Sequence, residues 1–388
     1  MRTPLLLDLG DYPVGQTGIG GIGLRAAELA TALAQYFPVY LYSPATTEEP
    51  VDVGDAELVT APADWTGLLA DAAAVLFFDM PDLDRMAQAA GAGKLLVSEN
   101  TVPVEQLDYP RLRPGGVFDT RAYQELVATY RYQVTHSRLF ITRSDIERVT
   151  LIANLAAYGG LHPIDLDRSR VLTHRITTIP LGYTRAAARN AVLRPGTEQS
   201  AREGTEVVWT GGLWSFLDPC AAVRAVAAAR EQGAGLTLRF LHAAPHPDTA
   251  ETRDAVLTLA DQLGIAEHVV LHTDPIRHDD RDEYLRDAAA LICLGRPGIE
   301  NETCVRLRAR DSRLYGLPTV LDPFGATATE LSADGLAAVF DPADTTGIST
   351  YLTGLAAGAG PPIAPGQPRW AYENTVAALV ANLHRHLN

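Results

Sequence analysis

Two successive series of short apolar runs, each run followed by an amphipathic, Ala-rich stretch, most constrain what this chain can fold into. Such alternation builds a doubly wound parallel sheet, because each crossover helix covers a face of the strands it connects. In the first series, strands are expected at 5–9, 39–42, 74–78, 94–98, 138–142 and 176–179, with helices such as 24–34 and 121–135 between them. From Arg185 to Gly204 the chain turns to Arg, Asn, Pro, Gly, Glu and Ser without hydrophobic period, which reads as a linker. A second series follows, with strands expected at 206–209, 237–242, 269–273, 289–293, 319–322 and 338–340.

The 388 residues therefore divide into an α/β domain over 1–185, a linker over 186–204 and a second α/β domain over 205–369. The Pro- and Gly-rich stretch 358–368 interrupts helix formation, and an amphipathic helix over about 370–388 is expected to cross back onto the first domain. Two Rossmann-like domains of this kind, facing a central cleft, would present the carboxyl ends of both sheets to a ligand.

Composition narrows the function. No apolar run approaches the roughly 18 residues of a spanning helix, and the first run is broken by Asp8 and Gly10, so a cytoplasmic protein without a signal peptide is expected. A net charge of −15 argues against a general nucleic-acid role. Cys220, Cys293 and Cys304 lack metal-ligand spacing and make no disulfide framework. Asp165-Leu166-Asp167 resembles a metal-binding acid pair, but lies between elements of the first domain, and no metal is expected.

Three segments carry candidate chemistry. The first, Thr17-Gly18-Ile19-Gly20-Gly21-Ile22-Gly23, follows the first strand and opens into a helix. Gly20 and Gly21 there can expose backbone N–H groups to an anion, and Arg25 adds charge; close strand-to-helix packing is the plainer explanation. As a dinucleotide fingerprint it is weak, since no acidic residue ends the second strand cleanly, and a nicotinamide dehydrogenase is the least favoured reading. In the second segment, Trp209 through Pro219, Gly211 and Gly212 turn the chain at a strand end before a helix, a candidate diphosphate cradle with Trp214 beside it. Core packing of Trp214 and Phe216, and a helix start at Asp218-Pro219, are the alternatives.

The third segment, Gly298 to Val320, is the most informative. Glu300 and Glu302 precede a helix carrying Arg306, Arg308, Arg310, Asp311 and Arg313, which ends at Gly316. Helical spacing puts Arg308 and Asp311 on one face and Arg306, Arg310 and Arg313 in another row. Either this is a solvated helix laced with weak ion pairs, or its guanidiniums bind a diphosphate, for which their planar fork suits them. His246 and His278, after strands of the second domain, are further candidates.

These segments resemble the bacterial retaining glycosyltransferases of the GT-B fold, glycosyltransferase family four. Within it, the chain is similar to a branch in which a strand ends in Trp-x-Gly-Gly-x-Trp-x-x-x-Asp-Pro, matched from Trp209 to Pro219. The likeness extends through Glu300 to Val320 and through Arg138 to Pro180. It implies transfer of a hexose-type unit from a nucleoside diphosphate sugar to a hydroxyl or amine, with retention, no metal and no other cofactor. Secondary-metabolite or surface-polysaccharide biosynthesis is the implied setting.

The family's second carboxylate, which holds the donor ribose, falls on Asp311. Its first would fall on Thr303; the branch's pattern moves that role to Glu300, with Glu302 as competitor, and the diphosphate role to Arg306 and Arg308. The resemblance also implies base contacts from the Thr273–Arg277 loop, including Ile276. The family's acceptor-side His has no counterpart in Ser98 to Glu105, where Glu99 and Glu105 stand instead. The nucleoside, sugar, acceptor and oligomeric state stay open. So do two other readings: a nucleotide-sugar epimerase or hydrolase of the same fold, and a non-catalytic partner of an active transferase.

Overall fold

In the computed structural model, residues 3–99, 102–107, 109–193, 205–361 and 363–387 are described. The chain forms two compact units, residues 1–185 with 368–388, and residues 186–367.

Unit 1 is a seven-stranded parallel sheet: β1 (Leu5–Asp8), β2 (Val39–Tyr42), β3 (Glu57–Val59), β4 (Ala74–Phe78), β5 (Leu95–Glu99), β6 (Leu139–Thr142) and β7 (Ile176–Thr178). Its order is β3-β2-β1-β4-β5-β6-β7, so the winding reverses between β1 and β4. The run Leu5-Leu6-Leu7 is fully buried, with Leu5 and Leu7 in one hydrophobic layer and Leu6 in the other. A strand covered on both faces needs such an uninterrupted apolar run. The edge strand β3 escapes sequence reading because it has three residues, begins with exposed Glu57 and carries little apolar signal.

The carboxyl-terminal segment completes this unit. Tyr372, Val376, Leu379, Val380 and Leu383 join the layer that holds Leu5 and Leu7. Tyr372 N–H donates to the Tyr183 carbonyl at 2.8 Å, and a Cβ on Gly182 would fall 2.0 Å from the Trp370 carbonyl oxygen.

Unit 2 repeats the plan with β8 (Glu206–Trp209), β9 (Thr237–Phe240), β10 (Val269–Leu271), β11 (Ala290–Cys293), β12 (Thr319–Leu321) and β13 (Ala337–Val339). The order is β10-β9-β8-β11-β12-β13, again parallel, with the reversal between β8 and β11. Residues Arg185–Leu193, in the segment read as linker, form a helix; 194–204 lie outside the described residues. Among the described residues, no helix is long and apolar enough to cross a membrane.

Candidate functional site

In unit 2, the segment after β11 folds as a short helix, Ile299–Thr303, then an extended link, then the helix Arg308–Tyr315 leading into β12. Gly316 ends the second helix with φ 61°, where a Cβ would lie 2.5 Å from the Ile363 carbonyl oxygen, so glycine is required. All eight residues of Arg308–Tyr315 are buried, which overturns the solvated-helix alternative.

Buried guanidiniums need partners. Arg313 lies between Glu330 at 3.0 Å and Asp334 at 2.9 Å. Arg306 precedes the helix and so stands outside the row expected with Arg310 and Arg313. Its guanidinium donates to Asp322 at 2.7 Å and to the Asn301 side-chain oxygen at 2.6 Å. Neither Asn301 nor Asp322 stood out in the sequence. Asn301 also donates to the Phe216 and Arg296 carbonyls, both at 2.7 Å, tying the second and third segments together. Arg306 is thus paired within unit 2, by Asp322 and Asn301.

Asp311 is likewise paired within unit 2. Its carboxylate is 2% exposed and receives Arg281 at 2.7 Å on one oxygen and Arg310 at 3.1 Å on the other. Burial opposes its charge, but those two guanidiniums prevail and hold its pKa below the ordinary value.

Arg308 differs from the other three. Among the described residues no carboxylate pairs with it, and its Nε has no hydrogen-bond partner. The guanidinium lies 5.2 Å from the Trp209 ring centroid and against Gly211, where a Cβ would fall 2.0 Å from Nη2. A Cβ on Gly211 would press on the Arg308 guanidinium, and one on Gly212 would lie 3.0 Å from the Trp214 indole nitrogen. The helix after this pair begins only at Pro219, and its first turn is capped by Asp218, whose carboxylate accepts from Ala221 N–H at 3.0 Å.

Around Arg308 and Asp311 stand groups that the sequence left scattered. Arg281, from the helix Arg281–Leu285, keeps its Nε without a partner, and His278 keeps its Nδ1 without one. Burial, then Arg310 and Arg281, push the His278 pKa down to about 3, so its ring is neutral at neutral pH. His242, exposed after β9, stands within electrostatic reach of Arg281, Asp311 and Arg308. His246 instead caps its own turn through Asp248 N–H at 3.2 Å. Glu300 is buried and Glu302 exposed; Ile276 is half-buried behind the exposed Thr273, Asp274 and Pro275.

In unit 1, Gly20 and Gly21 are exposed at the start of the helix Gly21–Ala34. The loop before them already holds an anion, the Glu48 carboxylate, which accepts from Thr17 N–H at 3.1 Å and Gly18 N–H at 2.7 Å. Arg25 is buried, donating to Glu99 at 2.5 Å, the Tyr372 hydroxyl at 2.9 Å and the Ile179 carbonyl at 2.8 Å. It adds nothing to an anion site there, contrary to expectation. Glu105 is buried 3.6 Å from Arg143. Asp165 is held by Arg175 at 3.0 Å and caps its own helix. The sequence also gave no weight to Asp79, at the end of β4, which adopts φ 52°, a conformation uncommon outside glycine. An acid closing an apolar strand next to the reversal of winding was the available signal.

Two Rossmann-like α/β units, each with ionic groups at the carboxyl ends of its strands, define the class of this chain by fold. No family model and no curated protein matches it. Solved structures do. Anabaena HepE in complex with UDP-glucose shares 12% identity at a TM-score of 0.58, covering 100% of this chain and 98% of that one. The α,α-trehalose-phosphate synthase (UDP-forming) from Burkholderia xenovorans, in complex with glucose-6-phosphate, shares 12% at 0.56 over 100% of both chains. Sucrose-phosphate synthase from Thermosynechococcus elongatus shares 13% at 0.53, over 100% of this chain and 95% of that one. At such identities the likeness is one of fold, which is the fold of GT-B glycosyltransferases over the whole chain.

Proposed function

We propose that this chain is a metal-independent glycosyltransferase that moves a sugar, with retention, from a nucleoside diphosphate sugar to a hydroxyl or amine. The observation that carries the reading is Arg308: among the described residues it alone of the four arginines of its segment pairs with no carboxylate, and its guanidinium rests against a glycine at the end of a central strand. A guanidinium placed there suits a diphosphate, and its contact tightens as the leaving group gains charge. Gly211 and Gly212 are assigned the close backbone approach, and the loop through Ile276 the base contact. Asp311 acts as a positioning residue, holding Arg281 and Arg310. Glu300 and Glu302 remain the candidates for the sugar. With charge neutralised by guanidiniums and the departing phosphate able to take the acceptor proton, neither a metal nor a fixed base is required.

The HepE and trehalose-phosphate synthase complexes, which hold UDP-glucose and glucose-6-phosphate, support donor and acceptor chemistry of this type. The test is a melting-temperature panel with UDP, GDP, dTDP, ADP and CDP on the full chain, since a ligand that binds only the folded form raises the midpoint. At least one nucleoside diphosphate should do so in wild type and fail in Arg308→Ala; a flat panel overturns the proposal.

A further inference from the structure

At the amino edge of the unit 1 sheet, where Ala73, Lys94 and Arg138 lead into β4, β5 and β6, lies a cavity of about 460 Å³. Leu95 N–H donates to the Ala73 carbonyl at 3.0 Å and Arg138 N–H to the Leu96 carbonyl at 2.9 Å, so the three strand starts stand side by side. Lys94, His136, Arg138 and His386 are the titratable side chains of its lining, and Leu95 and Leu387 supply apolar wall. Acids outnumber Lys and Arg by 47 to 32 in this chain, so a lining of four basic groups without one acid runs against composition.

Among the described residues, no carboxylate pairs with any of the four. Lys94 Nζ gives one N–H to the Ala70 carbonyl at 3.0 Å and keeps two. The exposed Arg138 guanidinium keeps its whole fork. His136 serves the end of its own helix, Thr120–His136, with Nδ1 3.0 Å from the Tyr132 carbonyl, and its Nε2 has no partner among the described residues. Burial, then Arg138, Arg385, Arg168 and His174, hold the His386 pKa below its ordinary value. The acid behind His174, Asp165, is already held by Arg175 at 3.0 Å.

Charge selects the ligand. Cations gathered in this way repel one another, and an anion among them relieves the repulsion. The two fixed charges of Lys94 and Arg138 match a dianion better than a single carboxylate. The two remaining Lys94 N–H groups and the Arg138 fork match the oxygens of a phosphomonoester. The volume lies within the usual range of small-ligand sites, and Leu95 and Leu387 suit an organic body attached to the phosphate.

We propose that the amino edge of unit 1 binds a phosphomonoester through Lys94 and Arg138, with His136 and His386 beside them. Open α/β sheets hold their reactants at the opposite, carboxyl edge, so this phosphate is not a reacting group. A soluble phosphomonoester acts there as an effector and a lipid headgroup as an anchor; the chemistry of recognition is the same. The site stands whether or not the chain transfers a sugar.

The experiment follows the His386 ring protons by NMR on the full chain as inorganic phosphate is added, with sodium chloride at equal ionic strength as control. Phosphate should raise the pH at which that ring titrates, since an anion favours its protonated form, and chloride should not. Arg138→Gln and Lys94→Gln should each weaken phosphate by roughly tenfold or more, the loss of one charge-assisted contact, while melting curves and any nucleoside diphosphate response stay as in wild type. Arg308→Ala should keep the His386 response, which separates this cavity from the arginines of unit 2. Sedimentation with phosphatidic acid vesicles, against phosphatidylcholine vesicles, tells the two sources apart: capture lost in Arg138→Gln marks a headgroup, and no capture marks a soluble ligand. An equal response to chloride, unchanged phosphate affinity in both cavity variants, or a His386 response lost in Arg308→Ala would overturn the site. A flat nucleoside diphosphate panel bears on unit 2 alone.

Discussion

The carboxyl edges of the two sheets carry opposite chemistry on the same topology. In unit 1, among the described residues, the bare polar atoms include oxygens on Asp79, Glu99 and Gln133. In unit 2 they include nitrogens on Arg281, Arg308 and His278. Both sheets reverse their winding at the same relative place, so topology did not set this difference; the side chains that follow the strands did. A duplicated scaffold can therefore carry unlike charge at its two sheet edges.

The strongest break in the comparison is Arg306→Ala. It would leave Asp322 buried without its guanidinium, and breaking a buried pair costs about 3–5 kcal/mol. Chemical denaturation should show that loss, with destabilisation as the origin of any lost activity. Arg308→Ala should do the reverse. Stability should hold while turnover falls by about 2.7–4 kcal/mol in transition-state terms, as for other deleted charge-stabilising donors. Arg308→Lys should restore only part, lacking the bidentate fork. Steady-state kinetics paired with melting curves separates the two residues, and similar behaviour of both variants would erase the distinction between scaffold and site.

Gly211→Ala is a milder probe. Its methyl group would displace the Arg308 guanidinium, whose flexible end can swing aside, so a stability loss of about 1 kcal/mol is expected. Nucleoside diphosphate affinity should drop.

An effect confined to acid pH is expected from His278. Its native pKa near 3 lies below the ordinary 6.5, so between those values the unfolded chain binds a proton that the folded chain refuses. Stability then falls as pH drops through that window and is fully present above 6.5. His278→Asn should flatten that part of the stability profile in urea titrations across pH.

Much of the fold was legible. The runs at 39–42, 74–78 and 206–209 were read with their observed bounds, because buried parallel strands have continuous apolar stretches ended by polar or glycine residues. The site was legible only as segments. Arg306 and Arg308, two residues apart and alike in sequence, diverge because the helix begins between them and sends one to Asp322 and the other to Gly211. No local period carries that information.

The sequence by itself determined the two α/β series, the glycine turns and the density of arginine before Gly316, since each depends on short-range preference and period. Only the tertiary structure decided which charges neutralise one another and which stay available. Asp311 meets Arg281 from thirty positions earlier, and Asp79 meets Tyr12 from another strand end. Such pairings depend on which strand ends lie side by side, and so on how the sheet closes over distances that sequence spacing does not record.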